Sequence, residues 1–246
     1  SSFYFMWLDK SLEAPEKKDE HVSGFLWMVH SGGFYRVEKR TLSTGQVPKN
    51  LHWFKFEALF TWISGFCLLA LVYYWGELMV DTATSSMTNT QASLLGVAFL
   101  VVSWFAYDFF WNSPLGKSPW LGSLICYLAL VGVTYWLTQL FLGRAAYLHV
   151  AAILGTLMVT NVWVRILPAQ RQMIAATQAG KPRNQALADR AKQRSVHNNY
   201  MTFPVVFLMI SHHFPSTYGS EYNWLILSML ILASTGVRHA MNIYGH

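Results

Sequence analysis

The strongest constraint on this chain is the recurrence of apolar runs long enough to cross a bilayer. A spanning α-helix needs about 20 mostly apolar residues. Such runs fall at 55–80, 92–112, 120–143, 145–168, 198–215 and 223–243, and the third carries no charged residue. Backbone amides inside hydrocarbon must satisfy one another, which leaves helices as the natural state of these runs. The expected fold class is all-α integral membrane: one transmembrane domain over 1–246, a helical bundle of about seven to eight transmembrane helices. Pro204 predicts a kink in the fifth run. Residues 1–8 (SSFYFMWL) read as the last two turns of a helix that starts further upstream. They lack the basic flank and small-residue cleavage site of a signal peptide.

Charge supports this class and orients it. Only 12% of residues are charged, against about 25% in a soluble domain. That excludes disorder, a nucleic-acid arm and an ordinary cytosolic enzyme. Lys and Arg accumulate on the cytoplasmic side of membrane proteins. Residues 9–55, 113–119 and 165–197, with Arg238, hold 17 of the 18, and only Arg144 falls on the opposite side. The basic loops and the C-terminal end are therefore expected in the cytoplasm. The pI near 9.3 is a topology signal, with the lipid bilayer rather than nucleic acid as the partner. Cys67 and Cys126 lie in apolar runs outside any CxxC or CxxCH motif, so no disulfide framework, zinc site or covalent haem attachment is expected.

Two polar segments stand out. Residues 169–197 suit short cytoplasmic helices broken at Gly180-Lys181-Pro182. Residues 20–40 predict a half-buried helix and a turn at Gly32-Gly33. There is also an internal echo. SSFYFMWL, a charged loop and LHWFKFEALFTW resemble TNVWVRIL, a charged loop and VHNNYMTFPVVF. Each pair places a His (His52, His197) at the mouth of a returning helix, which suggests a 4+4 duplication of the kind membrane folds carry.

Ionisable side chains near hydrocarbon are functional candidates. The topology puts His21, His30, His52, His197, His239 and His246 on the basic side and His149, His212 and His213 on the other. His149 opens a spanning helix. Ala145, Ala152, Gly155 and Thr156 lie one or two turns from it, leaving room for a flat macrocycle. It reads either as an axial haem ligand or as a donor to a carbonyl in a close-packed interface. His52, His197 and His239 read as haem ligands, substrate-site groups or interfacial caps. His212 and His213 point about 100° apart on a helix, which favours an outer-surface role. Around Gly32-Gly33, His30, Tyr35 and Arg36 suit either a clamp on a planar anion or a basic segment on anionic lipid. Arg194, His197, Asn198 and Asn199 form a donor-rich patch for an oxypurine, or a helix cap. Asp108 is expected to pair with Arg238 or Lys117 in a structural role. No Walker A, GxSxG, HExxH or GxGxxG motif occurs, which excludes those phosphate-loop, hydrolase and zincin chemistries.

Four stretches in order, HSGGFYRVEKR (30–40), LHWFKFEALFTWISGF (51–66), GRAAYLHVAAILGTLMVTNV (143–162) and AKQRSVHNNYMTFPVVFLMIS (191–211), resemble the membrane domain of bacterial membrane-bound cytochrome c urate oxidases. The resemblance covers essentially the whole chain. It implies a protein of the bacterial inner membrane that oxidises urate towards 5-hydroxyisourate and passes electrons to cytochrome c and the respiratory chain. In that family a His-bearing helix precedes the SFYF element, and a further helix and a periplasmic cytochrome c domain often follow the RH element, here Arg238-His239. The cytochrome c haem is then expected from a missing domain or a partner. On this reading His30 and Arg36 are catalytic, and Arg194, Asn198 and Asn199 bind substrate. One or two b-type haems take ligands from His149, His52, His197 and His239. The rival readings are a non-catalytic membrane subunit, haem-bearing or structural, of a respiratory or photosynthetic complex, and a transporter for a purine-like anion.

Overall fold

The apolar runs fold as helices, and the polar stretch near the N-terminus does not. The computed structural model describes residues 2–15, 21–42, 46–83, 85–182 and 184–244. Lys17, Lys18, Arg183 and His246, counted above toward the basic side, lie outside the described residues. The order is α1 (Ser2–Ser11), β1 (Val22–His30), β2 (Gly33–Arg40), α2 (Lys55–Leu69), α3 (Asn89–Asn112), α4 (Pro119–Leu140), α5 (Gly143–Thr160), α6 (Leu167–Gln178), α7 (Gln185–Ile210), α8 (Pro215–Tyr218) and α9 (Asn223–Tyr244). A π-helical stretch, Ala70–Trp75, continues α2. Another, Asn161–Ile166, joins α5 to α6 without a break.

Among the described residues five helices are long and apolar enough to cross a membrane: Lys55–Trp75, Asn89–Asn112, Pro119–Leu140, Gly143–Gln178 and Asn223–Tyr244. The 36-residue Gly143–Gln178 helix extends the predicted run 145–168 well into the polar connector. The connector therefore does not form short separate helices. Its first part finishes one long helix and its second part begins α7. The break falls where predicted, with Gly180 at φ 65°, a value glycine tolerates without cost. The expected run 198–215 becomes the second half of α7, whose first half is polar, and Pro204 lies inside this continuous helix.

The segment 20–40 corrects its expectation: it is an antiparallel β-hairpin. Val22, Phe25, Trp27, Val29, Phe34, Tyr35 and Val37 are β-branched or aromatic and suit a pleated ribbon. The turn is Ser31-Gly32, at φ 49° and 77°, the positive pair that matches strand twist in a two-residue hairpin. Trp27 faces Arg36 and Val29 faces Phe34. An ion pair from Lys39 to Asp9 at 2.8 Å fixes the hairpin to α1, and a bridge from Glu13 to Phe25 fixes it to the segment just after.

The α5 helix is the core. Half of its spanning window is buried, against 11–22% for the other four candidates. Ala145, Ala146, Val150, Ala151 and Leu154 of α5 are buried against α3, α4 and α7. Small side chains let helix backbones approach closely. At the end of the bundle bearing the basic loops, Lys10 Nζ of α1 donates to the Asn242 carbonyl of α9, joining the two ends of the chain.

Candidate functional site: a buried polar cluster at the basic end

Asp108 sits in the last turns of α3, whose neighbours Trp104, Phe105, Phe109 and Trp111 are all aromatic, and it is 7% exposed. A carboxylate so placed must be paired. Arg165 Nε donates to its Oδ1 at 2.9 Å, Arg165 Nη2 to Oδ2, Arg194 Nη2 to Oδ1 at 3.1 Å and Asn112 Nδ2 to Oδ2 at 3.1 Å. Asp108 thus binds Arg165 and Arg194, correcting the expected Arg238 or Lys117. Arg165 comes from the π-helical stretch, a widened turn of the type that gathers at functional sites.

Two guanidinium groups on one carboxylate leave the cluster net positive. Arg194 is 3% exposed, and its Nη1 meets no partner among the described residues. A buried donor left so costs about 1–3 kcal/mol, more when charged. Between α6 and α7 lies a cavity of about 170 Å³, whose polar lining is Asn112, Arg165, Gln172, Arg190, Gln193 and Arg194.

Behind Arg194 a second network runs into the bundle. The Arg194 guanidinium lies 4.8 Å over the Tyr107 ring, a cation–π contact. Asn161 Nδ2 donates to Tyr107 Oη at 3.1 Å and to Asn198 Oδ1 at 3.0 Å. Tyr107 Oη and His197 Nδ1 are 2.6 Å apart. No other acceptor among the described residues meets this hydroxyl, so the tyrosine donates and the neutral imidazole carries its proton on Nε2. Trp111 packs on the His197 ring at 4.2 Å. On the next face of α7, Asn199 Oδ1 accepts from Arg238 Nε at 3.1 Å and Asn242 Nδ2 at 2.8 Å. Tyr200 Oη lies 2.7 Å from His239 Nδ1.

The sequence-derived residues therefore separate. Arg194 and His197 join one network. Asn198 belongs to its inner edge, donating to the Met158 carbonyl at 2.9 Å. Asn199 faces α9, and His239 lies on α9 beside Tyr200 of α7. His52 is exposed and bonds Glu57 at 3.0 Å. His30 and Arg36 lie on the exposed hairpin, where Arg36 pairs with Glu38 at 3.1 Å and covers Phe25. Neither lines the arginine cavity.

His149 is fully buried in the other half of the bundle. Its Nδ1 donates to the Ala145 carbonyl at 2.8 Å, and its Nε2 accepts from Tyr74 Oη at 3.0 Å. The room expected beside it exists as a cavity of about 740 Å³ between α2, α5 and α7, lined by Ala152, Gly155 and Thr156. His149 does not line that cavity; its ring is turned to Tyr74, Phe141 and Gly96. A ligating histidine keeps one nitrogen lone pair for the metal. Here Tyr74 takes that lone pair in His149, while in His197 Nε2 is protonated. As placed, His149 offers no free nitrogen to an iron, and none of His52, His149, His197 and His239 lines the large cavity, so these residues do not fit a haem seated there.

Arg165, Tyr107 and Asn161 do not stand out as site residues in the sequence. The signal was available for two of them: Asn161 and Arg165 are polar positions four residues apart in a run otherwise apolar, a spacing that shares one helix face.

The arrangement can hold an anion at Arg194 and accept a proton near His197, in a bundle built of apolar helices. No curated protein and no solved structure matches the chain. The family model described as urate oxidase, N-terminal, matches residues 1–246, and the chain accordingly belongs to the urate oxidase N-terminal family.

Proposed function

We propose that this protein crosses the bacterial inner membrane several times, oxidises urate at its basic, cytoplasmic end and delivers electrons to a cytochrome c or a respiratory complex. The observation that carries the reading is the net-positive Asp108–Arg165–Arg194 cluster, buried where the basic loops converge. Its ordered donors suit an anionic substrate, since hydrogen bonds between charged groups are the strong ones. The reaction balances as urate plus water giving 5-hydroxyisourate, two protons and two electrons. The electrons go one each to two ferric cytochrome c haems. Tyr107 and His197 stand beside the cluster as a hydrogen-bonded pair that can take up a proton and return it to water. Phenylalanine at position 107 removes the donor to His197 Nδ1 and the acceptor for Asn161. Tyr107→Phe is expected to lower turnover by about 10-fold, the order of one or two buried hydrogen bonds, and to shift the pH–rate profile.

Membranes bearing the full chain, supplied with urate and ferric cytochrome c, are expected to lose urate absorbance while the cytochrome is reduced. Peroxide is expected not to accumulate. Co-purification with large partner subunits and no urate turnover in any fraction would instead establish the non-catalytic subunit. Because Arg36 is on the exposed hairpin, Arg36→Gln is expected to change turnover by no more than about 2-fold, the range of an ordinary surface substitution. A loss of 100-fold in the same assay would return the hairpin to the active site.

A further inference from the structure

We infer that the cavity between α6 and α7 is the seat of a planar, monoanionic heterocycle with carbonyl oxygens along its edge; the inference rests on the urate reading above and assigns it a place. Its wall carries three guanidinium groups, Arg165, Arg190 and Arg194, and no acidic residue. Among the described residues the only carboxylate bonded to any of them is Asp108, shared by two. Arg194 brings to the wall a nearly fully buried guanidinium, and it shares its Asp108 partner with Arg165, which leaves positive charge for an anion to offset. Arginine presents its N–H groups as a rigid planar fork, which suits adjacent acceptors on a ring edge. Gln172 and Gln193 supply both amide donors and acceptors, as a ring bearing N–H and C=O groups requires. Val164, Pro168 and Leu187 form an apolar wall for the ring faces. The volume, about 170 Å³, admits a bicyclic ring system and is too small for a nucleotide or an acyl chain.

Arg190 is the informative position, because it is exposed and one turn from Arg194 on α7, so its loss leaves the buried cluster intact. The test is equilibrium dialysis of radiolabelled urate against the detergent-solubilised full chain, without oxygen or electron acceptor. Arg190→Gln is expected to weaken urate binding about 10-fold, the order of one charge-assisted hydrogen bond, with an unchanged melting temperature. Leu187→Trp, which fills the cavity from its apolar side, is expected to abolish binding. Xanthine at a pH where it is anionic is expected to compete, and inorganic phosphate is not. Wild-type urate affinity in both variants would overturn the assignment, as would equal displacement by phosphate, which would make the cavity a general anion site. The two readings fail separately. Urate turnover with an unchanged KM in both variants sinks the seat and spares the oxidase. Cavity-dependent urate binding without turnover under any acceptor sinks the oxidase and spares the seat.

Discussion

Asp108→Asn is expected to abolish urate turnover, by about 100-fold or more, and to lower thermal stability in the same protein. Asp108 does not line the arginine cavity; it holds two residues that do. The asparagine keeps the shape and removes the charge that compensates Arg194, which is 3% exposed. Removing one partner of a buried pair costs about 3–5 kcal/mol, because the other charge stays behind. Arg165 contributes less to that cost, since its side chain is 40% exposed and water screens it. A second substitution separates position from stability. Adding Arg194→Met to Asp108→Asn removes the orphaned buried charge and is expected to recover part of the melting temperature, as coupled neighbours do. Turnover is expected to stay lost. Wild-type turnover in the single variant would show that the carboxylate does not organise the arginines.

Periodicity and length made the helices legible. The runs around 55–80, 92–112, 120–143 and 223–243 match four of the five long apolar helices closely, because a long apolar helix is specified by little beyond its apolar length. The hairpin was misread because its alternation is interrupted by Gly24 and its charges suggested an interface helix. The evidence for strand lay in local chemistry, the Ser31-Gly32 turn and the β-branched and aromatic residues around it, which outweighed the basic character. The site was legible at Arg194 and His197 because polar residues crowd there in the sequence. Asp108 stands out in the sequence as an acid in an aromatic run, but its pairing does not. Its partner Arg165 is 57 residues away on a helix that the sequence reading ended near that point, and nothing local says that α3 and that helix meet. His149 was legible as important and not as to its direction. Small residues surround it on several helix faces, and only the packing of α3 decides which face it takes.

That direction gives a contrast between two glycines. A Cβ added at Gly96 would lie 2.7 Å from His149 Nε2 and 3.0 Å from Cδ2, closer than real Cβ atoms approach. The imidazole cannot retreat, since it is fully buried and its Nδ1 is held by the Ala145 carbonyl. Gly96→Ala therefore must part α3 from α5 or break the Tyr74–His149 hydrogen bond. Overpacking of this kind typically costs about 1–3 kcal/mol, seen as a lower melting temperature in detergent. Gly155 lies one and a half turns beyond His149 on α5, facing the large α2–α5–α7 cavity, and a Cβ there meets nothing within 4 Å. Gly155→Ala is expected to be neutral or to stabilise by up to about 1 kcal/mol, the helix-propensity gain. The same pair decides how His149 works. If its ring faced that cavity and bound a porphyrin there, bulk at 155 would displace the chromophore and bulk at 96 would be silent. The geometry of Tyr74, Gly96 and Ala145 requires the reverse order: damage at 96 and tolerance at 155.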